Sequence, residues 1–190
     1  MKKIIFILKN KIYKKSKIAL SSYIKGYDNI FIGKKVKIMR HVFLDSSKGG
    51  NITLNDKVSL SHFCQLQARE GSIEIGEGTE INNFSLIYTG GSKIKIGKNV
   101  LIGPRVNIIG YQHEFKDINI PIKFQPYISQ DIIIEQNVWI GSSSVIMAGI
   151  TIGEGAIVGA GSIVTKSIKP HTINVGNPCK QIKTRKLQGN

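Results

Sequence analysis

The sequence is poor in several things that would identify other kinds of protein. It has two cysteines, Cys64 and Cys179, too few and too far apart for a disulfide framework or a zinc site. They leave a reduced, cytoplasmic setting as the expectation. Its first apolar run, Ile4 to Leu8, is five residues long and ends at Lys9. A secretory core needs roughly seven to fifteen residues and a membrane span about twenty, so neither a signal peptide nor a transmembrane helix is expected. Acids are scarce: 12 Asp and Glu stand against 27 Lys and Arg, for a net charge of +15. That balance favours anionic partners without choosing among phosphates, acidic sugars, nucleic acid and a membrane face. There is one tryptophan, Trp139. Aromatics are not interleaved with the basic residues as a single-strand binder would require, and no groove-reading helix is evident, so no nucleic acid is expected.

At 190 residues the chain suits one domain with a substantial core. Residues 1–27 hold eight lysines and no acid. The stretch IIFILKNKIYKKSKIALSSYI reads as a basic helix with Ile5, Leu8, Ile12, Ile18 and Ala19 on its apolar side. Packing on one end of the domain is its simplest use; weak contact with an anionic membrane surface is the alternative.

From Ile32 onward the chain repeats in sixes: IGKKVK, IMRHVF, LNDKVS, LSHFCQ, IGEGTE, INNFSL, IGKNVL, IGPRVN, then IEQNVW, IGSSSV, IMAGIT, IGEGAI and VGAGSI. Position one is aliphatic and position two is often Gly. Position five is small or β-branched, as at Val36, Val58, Cys64, Thr79, Ser85, Val100, Val106, Ser144, Ala156 and Ser162. Six matches neither the helical period of 3.6 nor strict alternation. It suits a short strand followed by a tight corner, three of which close a triangular coil of 18 residues, as between Ile134 and Ile152. Glycine at position two would relieve the corner, through positive φ or close backbone approach.

Equivalent positions Ile32, Leu54, Ile75, Ile96, Ile134, Ile152 and Val175 are separated by 22, 21, 21, 38, 18 and 23 residues. The excess over 18 falls after the third edge of each coil, which places the insertions on one corner. The excess of 20 is a projecting loop, with His113 at its root.

The stretches IGKNVLIGPRVNI, IEQNVWIGSSSVIMAGITIGEGAIVGAGSIVTKSI and VGNPCKQIKTR resemble the hexapeptide-repeat acyltransferases, in particular the sugar O-acetyltransferases acting on galactosides, maltose, capsule or lipopolysaccharide. The likeness is dense from about residue 73 to 185 and looser before it. It implies an all-β fold, a left-handed parallel β-helix domain (30–178) carrying the loop (110–130); the basic N-terminal helical segment (1–29) stands where the galactoside and maltose enzymes have an acidic, tyrosine-containing lead, and a basic tail (179–190) follows. The resemblance also implies a cytoplasmic homotrimer with active sites between subunits.

Acetyl transfer from a thioester to a hydroxyl needs a base and oxyanion donors. The resemblance makes His113 that base, and histidine is the side chain suited to moving a proton near neutral pH. Glu114 and Asp117 are candidates to orient it or to touch the acceptor. Asn82 or its neighbour Asn83 aligns with an asparagine near the acceptor sugar. Trp139, pointing outward, would wall either ligand. Ser142, Ala160, Thr165, Lys166, Lys180 and Lys183 match positions lining the acetyl-CoA groove, with Arg185 a further cation. Lysines stand where relatives carry arginine, which replaces a bidentate fork with a point charge. His41, His62 and His171 read as structural or solvated, and no metal is expected.

The function so implied is an acetyl-CoA-dependent O-acetyltransferase of a sugar or polysaccharide acceptor in surface polysaccharide assembly. Acetylation of an amino sugar, an antibiotic or serine is the enzymatic alternative; a nucleic-acid-binding or structural solenoid is the non-enzymatic one.

Overall fold

A computed structural model describes residues 2–186. Every sixth aliphatic residue is buried: Ile32, Ile38, Leu44, Leu54, Leu60 and Leu66 are at most 1% exposed, and so are their counterparts along the repeat. The chain turns after each short strand of two to four residues, so the strands stack into three sheets of nine, seven and six members, parallel but for the last strand of the first, here faces A, B and C in the order the chain visits them. Residue partners follow the repeat, with Ile81 beside Ile102, Ile87 beside Ile108, and Ile75 beside Ile96. The architecture is the left-handed parallel β-helix.

The corners explain the composition of the hexapeptide. Position four, not position two, takes the left-handed conformation: Lys35, His41, Phe63, Phe84, Arg105 and Ser143 all have φ near +60°. Position-two glycines serve by their lack of a Cβ. One added at Gly141 would lie 2.5 Å from Ala160 N, and one at Gly97 would lie 2.5 Å from Gln136 N. Close approach between coils is therefore the reason for those glycines, and positive φ is not.

Polar position-five residues are buried but satisfied. Thr79 Oγ1 donates to Gly97 O at 2.8 Å and accepts from Val100 N; Ser85 Oγ does the same with Gly103 O and Val106 N. Each hydroxyl thus ties the corner of one coil to the next, pairing backbone groups that the sheet ladders leave over. Cys64 occupies the same slot, with Sγ 3.1 Å from Asn82 O, and burial pushes its thiol up to about 11.

Two expectations are corrected at the ends. The N-terminal helix covers Lys2–Lys14 only, because Lys17–Ile18 and Tyr23–Lys25 are already strands of the first coil. Its seated side chains are Ile7, Asn10 and half-buried Phe6, whereas Ile5, Leu8 and Ile12 are exposed. At the other end Val175 is not the counterpart of Ile152. Ile168 bridges Ile152, and Asn174 lies beside Val158, before Lys180–Thr184 returns antiparallel to Thr172–Val175. The last residues of the basic tail, 187–190, lie outside the described residues.

Candidate active site

All the insertions leave the solenoid between faces B and C. The largest begins after Asn107–Ile109 on face B and ends before Ile132–Ile134 on face C, and the flanking coils keep register across it, with Ile94 beside Ile132 and Ile96 beside Ile134. Gly110 is the exit. A Cβ there would lie 2.0 Å from Ser92 Oγ, itself fixed to Thr89 O. The loop then forms an antiparallel hairpin, Tyr111–His113 against Tyr127–Ser129, in which His113 faces Tyr127.

The tip is held by Gln125, which is 7% exposed. Its Nε2 donates to Asp117 O and Ile120 O, both at 2.8 Å. Sequence reading missed Gln125, and nothing in the hexapeptide pattern distinguishes a glutamine inside a loop.

His113 is half-buried, and its ring lies 4.5 Å from that of Tyr127. Its Nδ1 is buried and has no hydrogen-bond partner among the described residues. A line of contacts runs back from it to the solenoid. Tyr127 meets Tyr111 edge-on at 5.4 Å, Tyr111 meets Tyr88 at 5.1 Å, and the Arg69 guanidinium lies 5.6 Å from the Tyr88 ring. Arg69 Nε in turn donates to buried Asp45 at 3.4 Å. Burial alone would raise the Asp45 carboxyl, but hydrogen bonds from Ser47 and the pairing with Arg69 bring it below its ordinary value. Burial, with Tyr88 and Tyr127 nearby, raises the Tyr111 phenol against the opposing pull of Arg69. This line was also missed: Tyr88 ends a face-B strand, but Tyr111 and Tyr127 lie in the hairpin, outside the repeat.

Neither loop carboxylate is bonded to the imidazole. Glu114 Oε1 accepts from the Phe115 and Lys116 amides, and Asp117 Oδ1 accepts from the Asn119 amide. Both fold the loop on itself.

The remaining candidates lie elsewhere on the prism. Asn82, Asn83, Ser142 and Ala160 belong to the corner between faces A and B. Asn82 Nδ2 donates to Ile102 O and Asn83 Oδ1 accepts from His62 N, so both tie coils together. Trp139 is 50% exposed on face A, between Leu101 and Ile157. Thr165 and Lys166 are exposed beyond face B, and Lys180 and Lys183 are exposed on the returning strand. Arg185 is engaged with the fold, donating from Nη1 to Gly155 O at 2.6 Å. Within one chain, then, the histidine corner and the asparagine corner stand at opposite edges of face B.

The A/B corner is also apolar. His41, Phe63 and Phe84 stack at 4.9 and 5.0 Å, with Phe63 44% and Phe84 54% exposed. The loop exposes Phe115, Ile118, Ile122 and Phe124, Ile118 to 94%. Among the described residues no group of three or more His, Cys, Asp or Glu is placed to hold a metal ion, and no helix is long and apolar enough to cross a membrane.

A family model described as the hexapeptide repeat of succinyl-transferase matches residues 131–166. A Saccharomyces cerevisiae protein, provisionally named an acetyltransferase, is 31% identical over 175 residues, covering 91% of this chain and 82% of its own. A solved hexapeptide-repeat acetyltransferase of Vibrio cholerae, complexed with acetyl-CoA, superposes with a TM-score of 0.64 at 31% identity, over 70% of this chain and 71% of its own. A solved polySia-specific acetyltransferase superposes at 0.65 and 26% identity, over 88% and 70%. The chain spans about half the length of the first curated relatives it matches. One of these is the galactoside O-acetyltransferase of Escherichia coli, 42% identical over 105 residues, 53% of this chain and 49% of the relative.

Proposed function

The chain belongs to the hexapeptide-repeat acetyltransferases, and from that premise we propose that it moves an acetyl group from acetyl-CoA to a sugar hydroxyl, with His113 as general base. The observation that carries the reading is the placement of His113: a half-buried imidazole at the root of the one long insertion, braced by Tyr127, with an unpartnered buried nitrogen.

In the reaction the acceptor oxygen attacks the thioester carbonyl carbon while its proton passes to the imidazole. When the tetrahedral intermediate collapses, the carbon–sulfur bond breaks and the thiolate takes up the proton. Exposed Trp139 offers an apolar wall to the elongated donor, and exposed Lys166, Lys180 and Lys183 offer cations to its phosphates. These residue types fit that donor.

The separation of the two corners supports sites shared between copies. A loop bearing exposed Phe115, Ile118, Ile122 and Phe124 and a corner bearing exposed Phe63 and Phe84 are complementary apolar surfaces that one chain holds apart. Cyclic association, as a homotrimer, brings the loop of each copy to the A/B corner of the next. Asn82 and Asn83 would then face the acceptor beside a neighbour's His113.

The acceptor is a surface polysaccharide or its precursor, in keeping with the net charge of +15 and with the polySia and galactoside acceptors named for two similar proteins. Assembly of such a polymer places the enzyme in the cytoplasm, with weak contact between its lysine-rich N-terminal segment and the inner membrane face.

The test is thiol release from acetyl-CoA by the purified chain against neutral saccharides, sialic or uronic acid oligomers, amino sugars and serine. Release with a hydroxyl saccharide is expected. Release with amino sugars alone would move the reaction to nitrogen, and failure to bind acetyl-CoA would sink the reading.

A further inference from the structure

The N-terminal helix Lys2–Lys14 has two apolar sides, and the solenoid uses only one. Ile7, 2% exposed, Asn10 and Phe6 seat it on the first coil, where the Phe6 ring meets Tyr27 at 5.4 Å. The other side carries Ile4, Leu8 and Ile12 at a spacing of four, with Ile5 beside them. They are 58%, 49%, 67% and 58% exposed. On a helix these positions span about 100° of arc, the width of a stripe that normally meets a core.

The surroundings of that stripe are basic. Residues 1–44 contain twelve Lys or Arg and one acid, Asp28, which is +11 of the chain's +15. Lys9, Lys15, Lys17, Lys34, Lys35 and Lys37 are exposed on the helix and the first two coils. Further apolar side chains stand among them: Tyr13, Leu20 and Phe31 are each more than half exposed, and Lys14 Nζ sits 4.1 Å from the Phe31 ring centre.

We propose that this end of the solenoid docks on an anionic lipid bilayer, with the helix lying in the plane of the interface and Ile4, Ile5, Leu8 and Ile12 among the acyl chains. The helix is too short and too charged to cross, but an aliphatic stripe flanked by lysines has the pattern of an interfacial helix. Charge decides against a second copy as the occupant, since two ends of +11 repel each other. Chemistry decides against nucleic acid, since phosphates give four aliphatic side chains nothing to bury against.

The proposal deepens the membrane contact inferred above, and for its bearing on the acceptor it rests on the acetyl-transfer reading. A bilayer at one end of the solenoid leaves the loop corner facing water a few coils away, within reach of a sugar carried on a lipid.

The experiment is co-sedimentation of the full chain with phosphatidylcholine vesicles containing or lacking phosphatidylglycerol, with thiol release measured separately on a soluble acceptor. Binding to the anionic vesicles is expected, weaker by about tenfold or more on neutral vesicles or at high salt. A Leu8→Ser, Ile12→Ser double variant, altered where no core contact is made, should lose about tenfold in vesicle binding while keeping its melting temperature and thiol release. Equal binding to both vesicles, no binding, or an unaffected double variant would overturn the proposal. A lipid-free change in oligomeric state of that variant would do the same, by assigning the stripe to a neighbouring copy. Loss of thiol release with vesicle binding intact would instead count against the acetyl-transfer reading.

Discussion

The two corners that flank face B are built to opposite rules. At the A/B corner each hexapeptide from Ile38 on turns in the same number of residues with a left-handed residue at position four, whose amide from Phe63 on donates to the preceding coil. At the B/C corner the chain is free to add three residues, four or twenty without disturbing the strands on either side. Closeness of the next coil does not distinguish them, since a Cβ would meet it at Gly50 as at Gly141; the difference is that the B/C corner takes added residues while the strands on either side keep their pairing. In the proposed reaction the constant corner would serve as a platform and the variable one would supply the base.

The sharpest test of that division is His113→Ala. Turnover should fall by about 10² or more with acetyl-CoA affinity nearly unchanged, as single-turnover kinetics and equilibrium binding would show. Unchanged turnover would remove the variable corner from the chemistry.

Mixing tests whether the loop histidine and the Trp139 side of face A work together only between copies. Chains carrying His113→Ala, refolded with chains carrying Trp139→Ala, should restore function in about a quarter of the sites, since each intact site draws its loop from one variant and its face A from the other. No recovery over either variant alone would place a complete site within a single chain.

Stability should divide the same way. Gly141→Val puts a side chain against Ala160 N and should cost about 1–3 kcal/mol in chemical denaturation. Two residues inserted between Lys48 and Gly49, at the B/C corner, should cost about half a kcal/mol. Comparable losses at both would erase the distinction.

The smallest effect concerns pH. The folded Asp45 carboxyl titrates below its unfolded value, so it stabilises the fold above that value, near pH 4, and the contribution is lost as pH falls through the folded one. Between about pH 5 and 3 the melting temperature of the parent should drop more steeply than that of Asp45→Asn.

Much of the scaffold is legible in the sequence because one hexapeptide encodes one edge. Ile102, Val106 and Ile108 announce their burial by spacing alone, and the count of residues between coils locates the loop. The left-handed position was less visible, although Gly78, Asn99, Asn137 and Gly155 mark it in one coil after another, because Phe63 and Phe84 occupy it as well. The helix misled for a physical reason. Its amphipathic pattern is real, yet the stripe of Leu8 and Ile12 faces away from the protein, and periodicity does not say which of two apolar sides meets the core. Within the candidate site His113 stood out by position. Gln125, Tyr127 and the Arg69 line depend on contacts between coils or across a hairpin, which no local pattern carries.

The unbroken register across the long insertion also bears on how the chain folds. Neighbouring coils elsewhere close over 16 to 22 residues, but Ile96 must find Ile134 across 38. The added closure entropy is only about 0.5 kcal/mol, yet it falls on a single step of an otherwise nearest-neighbour assembly. Coils before Gly110 and coils after Asp131 can each zip from their own nuclei, and their docking, with the histidine hairpin formed between them, is the step that completes the solenoid.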